Sequence, residues 1–78
     1  MEKLRTYLNS LSQDEQKQFA DKCFTSIGYL RKAISQNQLI NPITCVRIEV
    51  ASLQNISRQD LRPLDWHLVW PELSELAA

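Results

Sequence analysis

Apolar residues in this chain recur at helical spacing from its beginning. Leu4, Tyr7, Leu8 and Leu11 fall at i, i+3, i+4 and i+7, which predicts an amphipathic helix over Glu2–Leu11 with Lys3, Arg5, Thr6 and Asn9 facing water. Ser12-Gln13-Asp14-Glu15 then has the form of a capping box, and its two carboxylates suit the positive end of a helix dipole. The helix it starts is expected to run from Gln13 to about Cys23 and to bury Phe19, Ala20 and Cys23. Ala20 is either a small residue at a close helix crossing or a choice for propensity alone. Phe24-Thr25-Ser26 reads as a turn, with Thr25 or Ser26 capping a third helix over Ile27–Ser35. That helix should bury Leu30 and Ile34, keep Ile27 at its edge, and show Gly28, Tyr29, Arg31, Lys32 and Ser35 on its other face.

A polar linker, Gln36–Asn41, follows, with Leu39 and Ile40 expected to turn inward. Asn41-Pro42 is a helix start, because Pro at the first position loses no hydrogen bond there. The fourth helix, Pro42 to about Leu53, is expected to bury Ile43, Val46, Val50 and Leu53, with Cys45, Ile48 and Ala51 widening its apolar surface. Ser57 and Asp60 form another capping pair, flanked by Ile56 and Leu61, and Pro63 ends the turn. The tail from Leu64 to Leu73 reads as irregular or as a single turn begun at Asp65. Trp66 and Trp70 are either lids over the core or a partner interface.

The pattern predicts an all-α domain of four to five helices spanning residues 1–78, with residues 66–78 packing on the core or on a partner. At 78 residues the chain is close to the size at which one core barely suffices. A single Gly and three Pro leave little room for a multi-turn β-protein. No apolar run nears the roughly 18–20 residues of a membrane span, and no hydrophobic leader follows Met1, so a cytoplasmic protein is expected.

Chemistry adds few candidates. Cys23 and Cys45 fall on apolar helix faces and are expected to be reduced core residues. His67 is the only histidine, and no Cys-x-x-Cys spacing suggests a metal, so neither a metal nor a cofactor is expected. His67 lies near Asp65 and Glu72, but a small helical chain offers little concave space for catalysis, and no enzyme activity is expected. The net charge is zero. Its distribution is uneven, because residues 1–35 carry +2 and residues 36–78 carry −2. The positive half contains the two helices around Phe24-Thr25-Ser26. Two short helices joined in this way form a helix-turn-helix, whose second helix can enter a DNA major groove.

Residues 45–73 resemble the Cro-like YdaS family of phage and prophage regulators, small helix-turn-helix proteins often described as antitoxins. The resemblance lies in Cys45, Ile48-Glu49, Ser57-Arg58-Gln59-Asp60-Leu61-Arg62-Pro63, Asp65-Trp66 and Trp70-Pro71-Glu72-Leu73. Phe19-Ala20 and Leu30 align more loosely with the packing positions of the helix-turn-helix. The chain departs from the family at three places. Phe24 stands where the turn usually has Gly, Leu53-Gln54 where the following helix usually ends in Gly-Gly, and Gly28-Tyr29 where polar side chains are usual. A left-handed turn at Phe24 would carry a steric cost.

The resemblance implies a lambda-repressor-like fold and a homodimeric, nucleoid-associated repressor that binds operator DNA. It also implies that Ser26, Ile27, Gly28, Arg31, Lys32 and Ser35 face the bases, with Arg31 suited to guanine. Gln16, Lys17 and Lys32 would then meet phosphates. The alternative is an antitoxin-like module that binds a protein partner through Trp66, Trp70 and the apolar helix surface.

Overall fold

The computed structural model describes residues 1–73, so Ser74–Ala78, the end of the expected tail, lie outside the described residues. The fold is all-helical. In order the helices are α1 (Glu2–Asn9), α2 (Gln13–Lys22), α3 (Ile27–Ser35), α4 (Pro42–Ala51), α5 (Arg58–Leu61) and α6 (Trp66–Val69). Both short segments after α4 close a helical turn, the second one beginning at Asp65.

The expected starts form where the sequence places them. Ser12 accepts from the Glu15 N–H (3.1 Å), while the Glu15 carboxylate accepts from the Ser12 N–H (3.0 Å). Ser57 and Asp60 make the same reciprocal pair at α5. Ser26, rather than Thr25, caps α3 by accepting from the Tyr29 N–H at 3.1 Å. Asn41 caps α4 ahead of Pro42. Each cap satisfies an amide that the helix itself leaves open, an effect of about 1 kcal/mol.

The helix ends are less ordinary. α2, α3 and α4 each finish in a Schellman turn. The left-handed residues are Phe24 (φ 57°), Asn37 (φ 51°) and Leu53 (φ 53°), and Gln54 is left-handed as well (φ 67°). The paired closures are Phe24 N–H to Asp21 and Thr25 N–H to Ala20, Asn37 to Ile34 and Gln38 to Ala33, and Leu53 to Val50 and Gln54 to Glu49. Glycine would adopt these angles freely, whereas an L side chain there costs about 1–2 kcal/mol.

The core consists of Leu4 and Leu8 from α1, Phe19 and Ala20 from α2 with Cys23 at its C-cap, and Leu30, Ala33 and Ile34 from α3. Ile40, Cys45, Ile48, Ile56, Leu61 and Trp70 complete it. The first stripe is graded: Leu4 and Leu8 are fully buried, while Tyr7 and Leu11 are half-buried against the core.

Two expectations fail. Leu39 is exposed, and only Ile40 of that pair turns inward. α4 sits rotated from the expected face: Cys45 and Ile48 are buried and Val46 is half-buried, but Ile43 (64%), Val50 (66%) and Leu53 (86%) are exposed. The cause is an apolar arc too broad for periodicity alone to orient.

Polar contacts set that orientation. Glu49 is only 15% exposed at its side chain and accepts from the Arg58 N–H (3.1 Å) and Nε (3.2 Å), with Nη2 at 3.0 Å. Ser52 is buried at the end of α4, where its hydroxyl accepts from Ile56 N–H at 3.1 Å and donates to the Glu49 carbonyl at 3.2 Å. Arg62 donates through Nε and Nη2 to the two Asp65 oxygens (3.0 and 2.8 Å) and through Nη1 to the Ile40 carbonyl (2.7 Å). This fork ties the tail to the α3–α4 linker. Trp70 is 8% exposed with Arg58 over its ring, and Trp66 is half-buried against the core, so both tryptophans lie as lids.

Two outcomes test these points. Gln54→Gly is expected to stabilise the fold by about 0.5–1 kcal/mol, because relieved steric strain exceeds the added freedom of the unfolded chain. That would appear as a rise of a few degrees in melting temperature; an unchanged or lower value would mean that Gln54 is not strained.

The second concerns acid. The hydrogen bonds from Arg62 hold the Asp65 carboxyl below its ordinary pKa. Its contribution to stability is therefore complete above the unfolded carboxylate range, near pH 4, and is lost as pH falls through the lower folded value. Asp65→Asn should melt below the parent at about pH 7, and the gap should close at about pH 2. A gap independent of pH would show that the carboxylate charge plays no part.

Candidate nucleic-acid interface

α2 and α3 are joined by the four residues Cys23–Ser26. The Schellman closure at Phe24 ends α2, and the Ser26 cap begins α3 two residues later. Ala20 is buried on α2 and brings no bulk to the space facing α3, while Leu30 and Ala33 anchor α3 from below. This arrangement is compatible with a helix-turn-helix. Between the two helices opens a cleft of about 610 Å³ whose wall includes Gln16, Lys17, Ser26, Ile27 and Arg31, together with Asp14 and Asp21.

The structure brings five of the eight expected contact residues to this one cleft and leaves three on the outer side of α3. Lys17 is exposed, and Ile27 is half-buried against the core. The Ser26 hydroxyl is engaged as the cap. Gly28, Lys32 and Ser35 are exposed, and Ser35 donates its hydroxyl proton to the Lys32 carbonyl at 3.2 Å. A Cβ added at Gly28 would meet only Ser26 Oγ, at 3.9 Å, so nothing within the chain requires glycine there. Lys17 and Lys32 form no ion pair among the described residues, which leaves their ammonium groups open to solvent anions.

Arg31 and Gln16 are placed differently from free surface residues. The Arg31 guanidinium donates through Nη1 to Asn9 Oδ1 (2.9 Å) and through Nη2 to Gln16 Oε1 (3.1 Å). The Gln16 amide in turn donates to the Leu11 carbonyl at 3.1 Å. One half-buried arginine thus links the end of α1, the start of α2 and the middle of α3. Asn9 is the residue that the sequence reading left facing water. It lies 22 positions from Arg31, and no local pattern joins them. The sequence carries a weak signal of the other contact, since Gln16 and Arg31 lie on the two helices that flank the predicted turn.

Burial pushes both the Cys23 and Cys45 thiols up to about 11, which leaves them protonated at neutral pH. Among the described residues, no group of three or more His, Cys, Asp or Glu side chains is placed to hold a metal ion. No helix among them is long and apolar enough to cross a membrane. The chain matches no model of a known protein family, and no curated protein matches it.

Arg31→Ala is expected to destabilise the fold by about 1–2 kcal/mol, because two charge-assisted hydrogen bonds between helices are lost. Arg31→Lys should recover less than half of this, since one ammonium cannot reproduce the guanidinium fork. Urea unfolding followed by circular dichroism gives both values. A parental midpoint for the alanine variant would show that Arg31 is not a strut.

Proposed function

We propose that this protein is a sequence-specific DNA-binding regulator of the Cro-like YdaS type, with α2, the Phe24 turn and α3 acting as its helix-turn-helix. The observation that carries this reading is the α2–α3 unit itself. Its helices are the right length, its turn closes with a left-handed residue, and the exposed side of α3 is built from Gly28, Lys32 and Ser35. The segments that carry the resemblance also have structural work consistent with it. Arg58 and Arg62 brace the tail against α4 and the linker.

In this reading Lys17 and Lys32 meet phosphates and set register, and the exposed start of α3, from Ser26 to Gly28, approaches the base edges. The bare backbone at Gly28 allows close approach. Arg31 keeps its bridge to Asn9 and Gln16 and reaches toward DNA only through the donors it has left. The protein acts on DNA as a homodimeric repressor in the cytoplasm, and no catalytic step is assigned to it. An antitoxin-like module that binds a protein partner is the second reading. It is favoured by the zero net charge and by the exposed Phe24, Val50 and Leu53, but no longer by Trp70, which is buried.

The test is a salt-titrated gel shift with DNA from upstream of the protein's own gene. The parent should bind, with affinity falling steeply as salt rises. Lys17→Ala combined with Lys32→Ala should reduce the slope of log K against log salt by about 2, because two phosphate contacts are lost. Both residues are exposed, so the fold should survive. An unchanged slope would remove these lysines from the interface, and absence of any salt-sensitive binding by the parent would favour the partner-binding reading.

A further inference from the structure

The feature that the DNA reading leaves unexplained is the outer face of α4. Ile43, Val46 and Val50 follow one another on α4 at spacings of three and four residues, the alternation of a seam between packed helices, and Leu53 adds to them from the turn just past its end. Three of these four side chains are largely exposed, and Val46 is half-buried. Phe24 extends the seam sideways. Its ring and Val46 border one apolar hollow that also includes Val50, and Val50 borders a second hollow with Leu53. The patch is therefore continuous from the α2–α3 turn to the end of α4.

Two of its largest side chains are also held in a left-handed backbone conformation. Phe24 and Leu53 stand at Schellman positions where glycine would be free of strain, and both direct bulk to the surface. Alone in water, such residues are unfavourable on two counts, for strain and for exposed apolar area. The two disadvantages coincide on one patch, and covering that patch would offset both.

We infer that this face is where a second copy of the chain docks, with the α4 seam of one protomer packed against the α4 seam of the other. The size is sufficient. An aromatic side chain alone covers about 150–250 Å². The seam with Phe24 then presents on the order of 500 Å² per copy and about 1,000 Å² per symmetric pair, where specific interfaces begin.

The charges favour a like partner over an oppositely charged one. The hollows are rimmed by both signs, Lys22 and Arg47 on one side and Glu49 on the other. Arg47 is stacked 4.0 Å over the Phe24 ring, and Glu49 is paired with Arg58. The chain has zero net charge, so two copies meet without long-range repulsion. An apolar seam is also complementary to itself about a two-fold axis. No residue borders both this patch and the α2–α3 cleft. The inference gives the homodimer of the reading above its interface, and it does not depend on whether α3 reads DNA.

Sedimentation equilibrium of the full chain tests it. The parent should pass from the 9.1 kDa monomer to a species of twice that mass as concentration rises. Val50→Glu, which puts a charge at the shared centre of the two hollows, should weaken that association by at least about tenfold. Phe24→Gly should weaken it as well while the chain stays folded by circular dichroism, since the glycine relieves the strained turn. A parent that stays monomeric, or a dimer that neither variant weakens, would overturn the assignment, the first outcome leaving the patch to a different protein. Gel shifts with the same proteins separate the two claims. Weakened dimers with no DNA bound by any of the proteins would sustain the seam and sink the DNA reading. Unaltered dimers that bind DNA would do the reverse.

Discussion

Three successive helices of this chain reverse direction through the same left-handed turn, and none has a glycine there. The only glycine, Gly28, lies inside α3, where nothing in the chain needs it. Phe24, Asn37 and Leu53 take the positive φ instead. Asn tolerates that region because its short polar side chain can bond locally, but Phe and Leu have no such compensation. The turns persist because each closes two helix-end carbonyls that would otherwise remain open, and because the core on either side dictates where the chain goes next. The geometry of α2 against α3, on which the DNA reading rests, begins with the turn at Phe24.

In a chain this short one apolar core is only marginally sufficient. The chain adds a few partly buried polar joints that span long sequence distances. Arg62 gathers the tail, its own turn and the Ile40 carbonyl. Glu49 gathers α4 and the start of α5, and Arg31 gathers the first three helices. Each arginine uses its planar fork to satisfy two acceptors at once, which a lysine could not do. None of these joints is deeply sealed from water, so their value is geometric as much as energetic: they select one arrangement among several that would bury similar area.

The candidate interface was legible only in outline. Ser26, Gly28, Lys32 and Ser35 are where helical periodicity puts them, because a nine-residue helix with Leu30, Ala33 and Ile34 inside has only one outer face. Lys17 follows from the same reasoning on α2. Arg31 does not. Its position on α3 is as expected, but its side chain turns back toward Asn9 and Gln16, and a long flexible side chain chooses among acceptors that only the folded chain assembles. Trp66 and Trp70 admitted two readings in sequence, and the packing places both against the core.

Interactions made within a few residues follow from the order of amino acids alone. These are the capping boxes at Ser12 and Ser57, the cap at Asn41, the proline start of α4 and the stripe of α1, whereas the choice of Ser26 over Thr25 as the cap of α3 came with the fold. Such features depend on neighbours fixed by the chain itself, so they survive any change in packing. The tertiary structure decided the rotation of α4. That helix carries apolar side chains around most of its circumference, so no period selects an inward arc. Glu49 reaching for Arg58, Ser52 for Ile56, and Cys45 and Ile48 filling the core turn it to bury one side. The other side, Ile43, Val50 and Leu53, is left outside for the same reason.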